Sequence, residues 1–202
     1  MRHYTLMQLV VPEPYKNKFV RACADKLEYF IDAKTILGSG VHSLADVDAI
    51  FDLGNSEEFK TIAIKVNPFK RVVLDFLSIN LNLGVEMNDT RLDYYRQFDD
   101  VTDFNKFVEY HFSEENPDKT PLLNTSAFYF TDTLSVDYLL EFDTFATDVK
   151  AIPEFSAETD TDYMKNAQDD TATYRTRYNQ ASIDKVTEVY AADLAKYGYT
   201  FE

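Results

Sequence analysis

The sequence predicts an α/β fold, with a mainly parallel sheet flanked by helices and a helical C-terminal portion. Two observations lead there. Short apolar runs, "YTLMQLVV" at 4–11 and "KTIAIKV" at 60–66, read as buried strands. Between and after them come longer stretches whose apolar residues recur three and four apart, and strands alternating with helices imply a parallel sheet.

In order, Pro12 and Pro14 end the first strand, and a helix is expected over about 15–32, with Phe19, Cys23, Leu27, Phe30 and Ile31 on one stripe. Gly38 and Gly40 mark a loop, and "HSLADVDAIFDL" reads as a short helix capped by Ser43. After the second strand, Asn67 suits a helix cap and Pro68 the first helical position, where a missing N–H costs nothing. Phe69, Val72, Val73, Phe76 and Leu77 then form a buried stripe, which leaves Lys70 and Arg71 on a solvated face. Polar, tyrosine-rich residues 86–100 lead to a helix near 102–112 with Phe104, Phe107, Val108 and Phe112 facing inward.

"SEENPDKTP" reads as a loop, "AFYFT" and "SVDYLLEF" as strands, and 144–151 as a short helix. The acidic stretch at about 153–172 reads as an exposed connection within a single domain spanning 1–202. The last helix is expected to be capped by Ser182, striped by Ile183, Val186, Tyr190, Leu194 and Tyr197, and stopped by Gly198.

Composition narrows the function. The chain has 202 residues with 45% hydrophobic content, enough for a sizeable core. A net charge of −15 argues against a nucleic-acid partner and an anionic membrane surface. The single cysteine, Cys23, excludes an internal disulfide and suits a helix core. No stretch reads as a signal peptide or membrane span, so a cytoplasmic location is expected.

His3 and His111 show no metal-ligand spacing, and "ETDTDY" lacks the glycine and closing glutamate of a calcium loop. No metal site is expected. The tyrosines of "LDYYRQF", "TYRTRY" and "KYGYTFE" offer a contact surface for protein partners or self-association.

Several segments together resemble the small PAPS-dependent sulfotransferases of marine bacteria and their phages. "VNPFKRVVLDFL" is similar to that family's Asn-Pro turn and following helix, and "VHSLADVDAIF" to its His-containing segment. "VDYLLEFDTFATDV" resembles its strand-then-acidic-helix element, and "TYRTRYNQASIDKVTEVYAADLAKYGYTFE" matches it best. The resemblance implies a P-loop-kinase-like fold and transfer of a sulfuryl group from PAPS, as co-substrate, to a hydroxyl or amine. It also implies the host cytoplasm or a virion as the setting.

The departures from that pattern fall on the donor ligands. The family's Pro-Lys-Thr-x-Gly-Thr-Ser loop is replaced by "VPEPYKNKF", with Glu13 in the lysine position. The arginine before the Asn-Pro turn falls on Val66, the helix serine on Leu74, and the arginine of the acidic element on Glu141. Losing several charge-assisted hydrogen bonds removes more than about 4 kcal/mol, roughly a thousandfold in affinity. Two functions follow as expectations. One is a non-catalytic derivative used in binding or assembly, as a phage structural or accessory protein. The other is an active sulfotransferase in which Lys16 or Lys18 holds the sulfuryl end, Asn67 with Lys70 or Arg71 holds the 3′-phosphate, and His42 acts as general base.

Overall fold

The computed structural model describes residues 3–9, 30–32, 59–85, 90–116, 137–153 and 162–202. In chain order its first elements are β1 (His3–Leu9), β2 (Phe30–Asp32), β3 (Phe59–Lys65), α1 (Pro68–Asn82), α2 (Thr90–Tyr95) and α3 (Phe104–His111). Then come β4 (Tyr138–Glu141), α4 (Phe145–Asp148), α5 (Asp162–Thr171), α6 (Gln180–Val189) and α7 (Ala191–Tyr197), with 3-10 turns at Val149–Ala151 and Tyr174–Arg177. The described residues divide into two compact units, one within Met1–Val66 and Ser126–Gln168, the other within Asn67–Thr125 and Asp169–Glu202.

The first unit holds the sheet. All described pairings are parallel, in the order β2-β1-β3-β4. Residues 4–9 and 60–65 of the expected strands pair with each other, Tyr4 opposite Lys60 and Leu9 opposite Ile64, with a register shift between Leu6 and Leu9. Phe30–Asp32 is a correction to the sequence reading. Assigned to the end of a helix, these residues instead form a strand beside β1. The rest of that expected helix, the Ser43-capped helix and "AFYFT" lie outside the described residues.

Beyond β4 the chain turns sharply. Asp148 fixes the turn by accepting from the Glu141 N–H at 3.0 Å and the Thr144 hydroxyl at 2.7 Å. Phe142, Phe145, Val149 and Ile152 are fully buried behind it.

The second unit is helical. Asn67 caps α1 as expected, its Oδ1 accepting from the Phe69 N–H at 3.0 Å. Phe69, Val72, Val73 and Phe76 are buried in one core with Phe104, Phe107 and Val108 of α3 and Val186 and Tyr190 from the C-terminal helices. Asp103 caps α3, accepting from the N–H groups of Asn105 and Lys106.

Three features differ from the sequence reading. Helix α2 lies inside the stretch taken as a polar lead-in. Part of the acidic connection is helix α5, on which Ala167 is fully buried. The final helix is two helices. Asn179 caps α6, its side chain accepting from the Ser182 N–H at 2.9 Å, and the chain breaks at Tyr190 before α7 begins. Ser182 is not that cap, because it lies inside the first turn of α6, where its hydroxyl donates to Asn105 Oδ1 at 2.8 Å. Gly198 stops α7 in the left-handed conformation, φ 68°, which glycine adopts without a Cβ clash.

Asn105 is the main polar tie between α3 and the C-terminal helices. Its Nδ2 donates to the Arg177 carbonyl at 3.1 Å, and its Oδ1 also accepts from the Asn179 N–H at 2.9 Å. Tyr178 makes a second tie, its hydroxyl donating to the Phe69 carbonyl at 2.7 Å. Burial pushes that hydroxyl well above the usual tyrosine range.

A raised value means the folded state holds the proton more tightly. The stabilisation is therefore complete below the unfolded tyrosine value of about 10 and fades as pH rises toward the folded one, with a slope of about 1.4 kcal/mol per pH unit. Tyr110, on the surface of α3, donates its hydroxyl to Asp100 at 2.6 Å, a bond that raises it to about 12. Tyr178→Phe is expected to cost about 1 kcal/mol at neutral pH and to flatten the alkaline arm by one proton, as read from urea midpoints at successive pH values. An unchanged alkaline slope would refute the assignment.

Candidate functional site

In parallel sheets, ligands bind outside the carboxyl ends of the strands, where the strand order reverses. The order β2-β1-β3-β4 puts that point between β1 and β3. The two turns singled out in the sequence follow those two strands. Lys16, Lys18 and His42 lie outside the described residues, so the first turn and the candidate base are not placed.

At the carboxyl edge of the sheet, the last residues of β3 and β4 face each other. Lys65 Nζ lies 2.8 Å from Glu141 Oε2, with the two side chains 23% and 24% exposed. Glu141 thus compensates the charge of Lys65. Val66, just past the end of β3, is buried.

The second unit carries the start of α1. Asn67 uses its whole side chain structurally, since beyond the cap its Nδ2 donates to the Thr200 carbonyl at 3.1 Å. Leu74, further along the same helix, is fully buried. Lys70 places its ammonium 5.8 Å from the centre of the Tyr174 ring. Arg71 is 8% exposed, with its guanidinium 5.4 Å from the centre of the Tyr190 ring, a cation–π contact inside the helical core. The solvated face expected for Arg71 is therefore corrected. Its apolar stem is covered and its charge lies over a ring, which stripe counting does not reveal.

A separate groove opens elsewhere in the described part of this unit. It has a volume of about 870 Å³ and crosses α3, lined by Phe98, Tyr110, Lys106, Glu109, Asn179 and Lys185 among others. Asn67, Lys70 and Arg71 do not line it. Phe98 and Tyr110 stack at 3.8 Å on one side. Lys106 is held by Glu109 at 3.1 Å, and that hydrogen bond raises its ammonium above the usual lysine range. The groove's polar groups thus bond largely to their own neighbours.

A buried polar chain went unnoticed in the sequence. Tyr95 and His111 Nδ1 lie 2.6 Å apart, and Asn116 donates to Tyr95 Oη at 3.3 Å and to the His111 carbonyl at 2.9 Å. The other ring nitrogen of His111, Nε2, lies 3.5 Å from Asp75 Oδ2. Both of those atoms are buried and lack a hydrogen bond. His111 is 2% exposed and out of reach of a substrate, so the chain is structural.

Tyr94, Tyr95 and Tyr174, read as parts of a contact surface, are buried in the core, and Tyr178 is partly buried against it. Among the described residues, no group of three or more His, Cys, Asp or Glu could hold a metal ion, and no helix is long and apolar enough to cross a membrane. Compared with protein-family models, curated proteins and solved structures, the chain finds no match.

Proposed function

We propose that this chain is a sulfotransferase-like protein of P-loop-kinase-like descent whose donor site has lost its ligands, and that it serves in binding or assembly rather than catalysis. The single observation behind this reading is the Lys65–Glu141 ion pair at the carboxyl edge of the sheet. A donor site must hold a multiply charged anion with cations that are not already compensated. Here the acid on the family's arginine position occupies the neighbouring lysine. The burial of Val66 and Leu74 on two further ligand positions agrees with that reading.

The test is a thermal-shift titration with PAP, the desulfated donor, at low salt, alongside the solution mass of the protein. An active enzyme gains about 2.7 kcal/mol at a hundredfold excess over Kd. The expected result is no shift up to millimolar PAP and a mass above that of one chain. A rise in melting temperature that charge reversal at Lys70 and Arg71 abolishes would eliminate this reading in favour of a working donor site.

A further inference from the structure

We draw no further inference here: the strongest candidate, the groove across α3 lined by the stacked Phe98 and Tyr110 rings and by Asn179 and Lys185, has nothing in the structure to show what covers it.

Discussion

Phe107→Ala is expected to destabilise the helical unit by about 3–5 kcal/mol, the largest single effect among the core residues considered. Phe107 is fully buried at the centre of the aromatic cluster. Its ring lies 5.2 Å from Phe76, stacks on Tyr95 at 5.3 Å and lies 4.7 Å from His111. Removing it opens a cavity bounded by rings from α1, α2 and α3, whose backbones are fixed by their own hydrogen bonds. The cavity also borders the Tyr95–His111 bond, so part of the loss comes from loosening a buried polar chain. Phe107→Leu, which keeps most of the volume, should cost under about 1.5 kcal/mol. Urea unfolding followed by tyrosine fluorescence separates the two variants. Equal midpoints would mean the cluster is not the core of this unit.

The second large effect is expected at a polar residue. Asn105→Ala should cost about 1–2 kcal/mol, because it removes three hydrogen bonds at once, two of them part-buried. The Asn105 side chain serves the Arg177 carbonyl, the Asn179 N–H and the Ser182 hydroxyl. Asn179 in turn caps α6, so the loss spreads to the start of that helix. Asn105→Asp keeps the acceptor but sets a carboxylate against the Arg177 carbonyl. It should fall between wild type and alanine. Urea midpoints measure both, and an alanine variant within about 0.5 kcal/mol of wild type would rule out this tie.

How far the fold could be seen in the sequence depends on what each residue touches. Helix α1 was legible because Asn67, Pro68 and the Phe69–Phe76 stripe act locally. Strands β3 and β4 were legible as short apolar runs. Strand β2 was hidden because Phe30 and Ile31 fit a helical stripe and a buried strand equally well, and a three-residue strand has no period of its own. Helix α5 was hidden by its charge, and Ala167 and Thr171, which it buries, are small side chains with little apolar signal.

The candidate site shows the same divide. The candidate ligand positions were named only through the resemblance to the sulfotransferase pattern, which local residues can carry. The Lys65–Glu141 pair, however, joins residues on two strands far apart in the chain, and Arg71 over Tyr190 likewise bridges distant segments. Asn105 is the clearest case, because its partners lie more than seventy positions away and asparagine on a helix carries no signal of them.

The interleaving of the two units has a consequence for biosynthesis. Each unit is assembled from two separated stretches of chain. As the polypeptide leaves the ribosome, Phe69, Phe76 and Phe107 emerge well before Val186 and Tyr190, which complete their core. That nascent face stays uncovered for the time needed to translate roughly eighty further codons, several seconds at about 5–20 residues per second. Chaperone engagement in that interval, rather than the final stability, would then set how much of the protein survives its own synthesis.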